Sequence, residues 1–520
     1  MHARTTTLAL LSLLAAHTAH AQPAAPHAAN PAAQWAPLLP AALAQGHAQA
    51  GSLTDVTITP QLPGLTLVTV PLDNGASLDV IVEPFTVRAQ NFEVLLRGAD
   101  GALTRYDAPA PKTVRGTVVG NPMSRVYGSL DGLRASLHIE QQGQETLILA
   151  PADLPGTPDT LHLLHPAAQA IPREGECAVR TPADQARPPQ PRNPAPADAA
   201  PAGTPAPGEL PGGSGGGGGG IFDDRTLGLY VTQISIDSDN EFFVNNGSNA
   251  NNCIDFIDAA MVGVDAIYRA QVGISYSLNR IVLSTDASDP FTATAAGSRL
   301  AQLRDVWEGS PYSGFERDVV QGFMGIDFDG NTIGVAYICN NGGCSGQICT
   351  RRNHFTCPFG DGTGNDCGGY SVIQTDRPAN SLDQINLGAH ELGHNWGAQH
   401  CNGEGDCYIM CTNLNSCMGS QSIFGVSAVN AIVSHRNSRP CLHQSATSVY
   451  VNSTYSGAEL GTLANPYITF RAGAFGCETG GNLFVTPGTY DGGHSLWFLA
   501  RPMVIAPQGA SAANPVRIGR

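Results

Sequence analysis

The chain has 520 residues, among them 60 glycines and 37 prolines, and only 13% of its residues are charged. This length predicts two or more domains, and the glycine and proline content predicts linkers. The formal net charge of -16 argues against binding nucleic acid through phosphate contacts, and solubility is a sufficient explanation for such acidity.

The N-terminus has the pattern of a secretory signal peptide over residues 1–21. Basic residues precede a short apolar run, LALLSLLAA, and Ala-His-Ala follows it as a small-x-small cleavage site. A membrane anchor is the alternative, but the run is much shorter than the roughly 20 residues that span a bilayer. We therefore expect a secreted, extracellular protein without a membrane anchor.

Three further segments precede the central part of the chain. Residues 22–50 are rich in Ala, Pro, Gln and His, which is typical of disorder. Residues 51–180 contain alternating runs such as TLVTVPL, SLDVIVEPF and FEVLLRG, and this period of two predicts an antiparallel β-rich domain. Residues 181–220 are almost entirely Pro, Ala and Gly, so they are predicted to form a linker.

Residues 221–445 alternate between strand-like and helix-like segments. TLGLYVTQI, ISYSLNRIVL, TIGVAYI and SVIQT have the pattern of strands. DFIDAAMVGVDAIYRAQVGI, SRLAQLRDVW and LDQINLGAHELGHNWG have the pattern of helices. This alternation predicts an α/β layered domain.

The segment GAHELGHNWGAQH, residues 388–400, places three histidines close together. His390 and His394 are four residues apart, so a helix presents both on one face. Gly397 permits a left-handed residue that ends the helix, after which His400 can return to the same point. Three imidazoles leave one coordination position open, as in a catalytic zinc site. We predict one catalytic Zn²⁺ here.

Glu391 is offset around the helix from these two histidines and is expected beside the metal. Zinc lowers the pKa of a bound water to about 7 and polarises a carbonyl. Glu391 would accept the water proton and pass it to the departing amine. The motif thus predicts a zinc metalloendopeptidase. Surface histidines on an amphipathic helix, or a zinc site without activity, are the alternatives.

A methionine follows the motif at a characteristic distance. Met410, in CYIM, lies ten residues after His400 and by itself would be interpreted as ordinary core. After HExxHxxGxxH it resembles the methionine turn of the metzincin metallopeptidases. Residues 221–443 more closely resemble the adamalysin/reprolysin (M12B) type, through DVVQGFMGIDFDGNTIGVAYI, SVIQ and the Ile-Met pair of CYIM.

The resemblance implies an α/β metzincin catalytic domain with a mixed sheet and an active-site helix. It also implies a role for each matching residue: zinc ligands His390, His394 and His400, catalytic base Glu391, methionine-turn residue Met410, and Gly334 as a source of backbone hydrogen bonds to an extended substrate. Cys401 stands where the family usually has Asp, and Trp396 where Leu is common. These departures leave the subfamily and the disulfide pattern open.

The β-rich part before the linker resembles the family's propeptide, through GTVVGNPMSRVYGSLDGLRASLHI. Beyond it lies Cys177, in PREGECAVR, and the resemblance implies that its thiolate binds the zinc and keeps a zymogen latent. Ala178 follows Cys177 where the family has Gly. A disulfide, for example with Cys477, or a thiol without a role are the alternatives.

Ten cysteines near the motif predict disulfides, because the chain is expected to be secreted. These ten cysteines are Cys339, Cys344, Cys349, Cys357, Cys367, Cys401, Cys407, Cys411, Cys417 and Cys441. A second zinc cluster formed by some of them is the alternative.

The tail, residues 446–520, resembles the first coil of a parallel β-helix. We therefore expect a multidomain chain with a β-rich prodomain, an α/β metzincin catalytic domain and a short β-rich C-terminal segment. The expected function is that of a secreted zinc endopeptidase, made as a latent zymogen, which cleaves proteins or peptides and is inhibited by its own propeptide. An exported adhesion or carbohydrate-binding protein with an inactive peptidase-like domain is the alternative. The presence of structural Ca²⁺ is left open.

Overall fold

The structure is a computed structural model. It describes residues 35–61, 64–171, 174–180, 230–338, 348, 351–352, 355–356, 369–375, 381–401, 408–414, 422–437, 442–444, 446–455, 466, 477–491, 504–507 and 516–519. The predicted signal peptide (1–21), part of the predicted disordered segment (22–50) and the predicted linker (181–220) lie outside the described residues.

The described residues before the linker form one α-helix, two 3₁₀ turns and twelve strands. The 3₁₀ turns are Ala36–Leu38 and Ala167–Gln169. The other bounds are α1 Leu39–Gln45, β1 Ser52–Asp55, β2 Thr57–Pro60, β3 Thr66–Pro71, β4 Ser77–Pro84, β5 Arg88–Arg97, β6 Leu103–Tyr106, β7 Thr113–Val118, β8 Asn121–Asp131, β9 Arg134–Glu140, β10 Leu147–Pro151, β11 Leu161–Pro166 and β12 Glu176–Arg180.

Nine of these strands form the N-terminal sheet, in the order β1-β11-β10-β9-β8-β7-β4-β3-β2. Every neighbouring pair is antiparallel. Alternate residues such as Val68, Val80 and Leu137 are fully buried on one face, which is the period-two burial that the alternating runs predict. The prediction that this part is β-rich is confirmed.

The expectation of disorder over residues 22–50 is wrong for its described part. Residues 35–50 contain α1, and Ala42 at its centre is buried against Leu53, Leu161 and Leu163. The apolar side chains of this segment find a partner in the N-terminal sheet, and such a tertiary contact is not visible in the composition.

The described residues after the linker form five further helices, a 3₁₀ turn at Tyr312–Gly314 and thirteen strands. The helices are α2 Asn240–Asn245, α3 Ala250–Val272, α4 Ala296–Glu308, α5 Ser381–Asn395 and α6 Val426–Asn437. The strands are β13 Tyr230–Ser238, β14 Ile274–Ser284, β15 Val319–Met324, β16 Thr332–Tyr337, β17 Arg351–Arg352, β18 Phe355–Thr356, β19 Tyr370–Gln374, β20 His443–Gln444, β21 Ala446–Val451, β22 Cys477–Val485, β23 Gly488–Asp491, β24 Val504–Pro507 and β25 Val516–Gly519.

A second large sheet, the mixed sheet, has the order β12-β16-β19-β15-β13-β14-β5-β6. β19, β15, β13, β14 and β5 are parallel, whereas β16 is antiparallel to β19. Successive residues of its strands face two different cores: Leu283 packs with α3, α5 and α6, and Val282 packs with α4. Helices therefore cover both faces, as the α/β layered prediction requires.

The mixed sheet also contains three strands from before the linker, which the sequence did not predict. β5 and β6 extend one edge, and β12 pairs with β16 at the other. The predicted antiparallel domain over residues 51–180 is therefore incomplete, because β5 and β12 are paired in parallel with strands of the α/β part.

The tail is strand-rich, as predicted. β21, β22 and β24 pair in parallel, and so do β23 and β25. The resemblance to a β-helix coil stays a prediction. No helix among the described residues is both long and apolar enough to cross a bilayer.

Candidate metal centre

Helix α5 brings the first two histidines of the motif together. His390 and His394 are both fully buried, and their rings lie 4.6 Å apart between centroids at an interplanar angle of 82°. Their Nε2 atoms are 2.9 Å apart. The four-residue spacing on a helix produces this convergence.

The helix ends where the third histidine must turn back. Gly397 has φ of +88°, and the N–H of Ala398 donates to the carbonyl of Gly393. This is the left-handed termination that glycine favours. His400 consequently returns to the helix, with its Nε2 3.1 Å from that of His394 and 3.2 Å from that of His390.

Backbone carbonyls orient two of the three rings. His390 Nδ1 lies 2.5 Å from the carbonyl oxygen of Ile409, and His394 Nδ1 lies 2.7 Å from that of Ala398. A carbonyl only accepts, so each Nδ1 carries the proton and each Nε2 presents a lone pair. Burial lowers the pKa of His390 to about 3 and that of His394 well below its usual value, so both rings are neutral.

This arrangement fits a zinc ion. Two Nε2 lone pairs facing each other at 2.9 Å repel each other unless a cation lies between them. Tetrahedral ligand nitrogens at about 2.0–2.1 Å from zinc are separated by about 3.3 Å, close to the spacing of the three nitrogens here. His390, His394 and His400 thus form a group that could hold a metal ion.

Met410 lies beneath the ligand helix. Met410 is fully buried, and a Cβ added to Gly393 would lie 2.7 Å from its sulfur. Gly393 therefore permits the close approach of this segment. The same segment supplies the Ile409 carbonyl that orients His390, so the chain around Met410 packs against the helix that carries the candidate ligands and orients one of them.

Glu391 lies beside the imidazoles and is fully buried. A Cβ added to Gly334 would lie 2.3 Å from its Oε1, so only glycine at this position leaves room for the carboxylate. Burial raises the pKa of Glu391 well above its usual value, and a hydrogen bond with the Cys177 thiol acts in the opposite direction. A divalent cation at the imidazoles would lower this pKa again.

Cys177 reaches the same site from β12. Its sulfur, a ring nitrogen of His390 and a carboxylate oxygen of Glu391 lie within 4.8 Å of one another. β12 pairs in parallel with β16, placing Cys177 opposite Gly334, and the N–H of Cys177 donates to the carbonyl of Thr412 at 2.8 Å. Cys177 keeps its thiol, so the alternative disulfide with Cys477 is not formed.

Three supporting residues were not found from the sequence. Gln321 Nε2 donates to the Gly388 carbonyl at 3.1 Å, and Tyr268 donates its hydroxyl hydrogen to the Ala389 carbonyl at 2.9 Å. Asn395 donates to strand carbonyls at both β16 and β19. These bonds fix the ligand helix on the mixed sheet, and their residue types carry no motif.

The two departures from the resemblance occupy buried positions. Trp396 is fully buried and donates its indole N–H to the Tyr276 hydroxyl at 2.8 Å. Cys401 and Cys411 are both disulfide-bonded, as the sequence predicts for these two cysteines. The rest of the predicted disulfide set around the motif lies outside the described residues.

Residues 255–401 match the family model described as metallo-peptidase family M12B, Reprolysin-like. The Reprolysin-like match includes His390, Glu391, His394 and His400, and it ends before Met410. No curated protein matches the chain. The match and the three-histidine group together support a zinc metalloprotease domain in this part of the chain.

Proposed function

We propose that this protein is a secreted zinc-dependent endopeptidase that is made as a latent zymogen. The observation that carries the proposal is the convergence of three imidazoles, those of His390, His394 and His400, beside one buried carboxylate. Zinc held there would supply a Lewis acid that acidifies water and polarises the scissile carbonyl. Secretion rests on the N-terminal sequence pattern alone.

The chain's own residues have distinct roles in this proposal. His390, His394 and His400 hold the ion, and Glu391 accepts the proton of the attacking water and returns it to the departing amine. Gly334 lies on β16, and an extended peptide would add to this strand as another strand and bond to its backbone. β12 now occupies that position, which supports latency.

Chelation tests the proposal directly. We expect the activated protein to hydrolyse casein or a quenched peptide, to lose this activity with a chelator and to regain it with added zinc. Tight zinc binding with no turnover in any activated form would instead favour the adhesion or carbohydrate-binding alternative.

We propose that the Cys177 thiol keeps the uncut chain latent by binding the zinc. Replacing Cys177 with alanine is expected to raise peptide hydrolysis by the uncut chain about tenfold or more, because a strong zinc ligand is lost. The gain stays partial, since β12 still pairs with β16. Cys253→Ala removes another buried thiol, in α3, and serves as the control. Equal rates for the two variants would contradict the role of Cys177.

Gly334 is expected to position the base. Gly334→Ala places a methyl group against Glu391 and should lower the rate about 10²-fold, the scale of a 1 Å misplacement, with zinc content unchanged. Both are measured in the Cys177→Ala background. Gly314→Ala has open space around its added Cβ and is the matched control. An unchanged rate in Gly334→Ala would show that Glu391 tolerates displacement.

A further inference from the structure

Strand β5 is built into the mixed sheet although it comes from before the linker. It pairs in parallel with β14, with Ile281 opposite Val94 and Val282 opposite Leu95. β6 then pairs antiparallel with β5 and forms the outer edge. Without this hairpin, β14 would become an edge strand with a row of unpaired backbone groups.

The β5 side chains fill both cores of the α/β part. Val94 is fully buried in the core that contains α3 and α5, and Leu95 is buried in the core under α4. Removing β5 would therefore open the hydrophobic core on both faces of the sheet, which is destabilising at each site.

A buried ion pair ties the end of β5 to the centre of the sheet. Arg97 Nη2 lies 2.7 Å from Asp237 Oδ2, and the two side chains are 3% and 0% exposed. Arg97 also donates to the hydroxyl oxygens of Tyr312 and Ser284. If Arg97 left, Asp237 would remain as a buried carboxylate without its cation, which is strongly unfavourable.

Further ion pairs join the same two parts of the chain. Arg88 donates to both carboxylate oxygens of Asp258 on α3, and these side chains are 9% and 2% exposed. Lys112 contacts Asp255 at 2.8 Å. In these pairs the cation comes from before the linker and the carboxylate from α3, whereas Arg280 of β14 pairs with Glu93 of β5 in the opposite sense. Oppositely charged groups therefore meet at several points between the two parts.

β12 is attached to the mixed sheet by fewer contacts than β5 and β6 are. It pairs with a single strand, β16, and adds backbone bonds to Asn331 and Thr412. Glu176 is exposed, and Ala178 and Val179 are half-buried, so Cys177 is the one buried side chain among those described in this strand. β12 gives only Cys177 to one core and the half-buried Ala178 to the edge of the other, so its departure uncovers much less of either core than removal of β5 would.

We propose that residues 35–171 remain with the peptidase as a permanent subunit, held by the β5–β6 hairpin, and that activation removes β12 alone. The inference rests on the proposed function. A cut between Arg180 and Tyr230 leaves β12 tethered to the retained N-terminal sheet, where its high effective concentration keeps the cleft occupied. Cuts on both sides of β12 convert it into a short peptide that dilutes away.

Engineered cleavage of the full chain tests this. One protein carries a site-specific protease sequence in the glycine run at 215–220, a second carries it before Glu174, and a third carries both. After cleavage, size exclusion and native mass spectrometry report fragment association, at low salt and at about 1 M salt, where the Debye length is about 3 Å. Peptide hydrolysis is measured in parallel.

We expect the two large fragments to stay together after every cut, in both salts, although no disulfide can join them. Cys177 is the only cysteine before Cys253 and keeps its thiol. Hydrolysis should rise about tenfold or more only in the doubly cut protein. Separation of a folded peptidase fragment, or full activity after the cut at 215–220 alone, would overturn the inference.

Association is measured independently of hydrolysis, so inactivity of every cut form would count against the proposed function and not against retention. Arg97→Met should raise fragment dissociation after the cut at 215–220 about tenfold or more, whereas Arg115→Met, an exposed arginine of the N-terminal sheet, should not. If Arg97→Met is insoluble, Arg97→Met with Asp237→Asn removes both charges and should restore folding. Equal dissociation of the Arg97 and Arg115 variants would contradict the anchoring role of Arg97.

Discussion

Glu391→Gln is expected to lower the hydrolysis rate of the activated protein about 10²–10⁴-fold, the usual contribution of a general base. Glutamine has the shape of glutamate but does not accept a proton at neutral pH. Glu391 is fully buried and lies against Gly334, so no other carboxylate can easily take its place. Zinc binding should be unaffected, because the three imidazoles remain.

The measurement is the rate on a quenched peptide together with the zinc content of the same sample. Loss of rate with full zinc content supports Glu391 as the base. A rate within about threefold of the parent protein would contradict this role, and simultaneous loss of zinc would show instead that Glu391 holds the site together.

His394→Ala is expected to remove both the metal and the activity. His394 Nε2 faces both other imidazoles, at 2.9 and 3.1 Å, so its loss leaves two ligands where three were present. Two imidazoles hold zinc far less tightly, and the rate should fall to background. The measurement is zinc per chain after dialysis, with the hydrolysis rate.

His165→Ala is the matched control for this variant. His165 is also buried, at 1% exposure, but it lies in β11 of the N-terminal sheet, away from the metal group. It should retain zinc and activity. If His394→Ala kept its zinc, the ion would be bound elsewhere and the proposed ligand set would be wrong.

The metal group could be anticipated from the sequence because its geometry is local. The spacing of His390 and His394 is a property of one helix turn, and Gly397 marks the turn that returns His400. Such relations depend on neighbouring residues only, so a short motif is sufficient to predict them.

The placement of the strands from before the linker could not be anticipated in this way. The alternation in FEVLLRG predicts a strand, but period two does not tell which sheet it joins. Arg97 and Asp237 lie far apart in the sequence, and nothing local marks them as partners. The pairing of Cys177 with Gly334 is equally non-local, although the resemblance to a propeptide indicated that Cys177 acts at the metal.

The two attachments of the N-terminal part have different consequences for activation. The β5–β6 hairpin completes the fold, whereas β12 covers the cleft. We therefore expect latency and structural support to be separable functions of the chain before the linker, and cutting on both sides of β12 distinguishes them.

X-ray absorption at the zinc edge tests the central claim most directly. We expect one zinc per chain in the uncut protein, with three nitrogen ligands at about 2.0–2.1 Å and one sulfur at about 2.3 Å. The sulfur should disappear in Cys177→Ala while the nitrogens remain. Purified protein without stoichiometric zinc, or zinc surrounded by sulfur alone, would contradict the account.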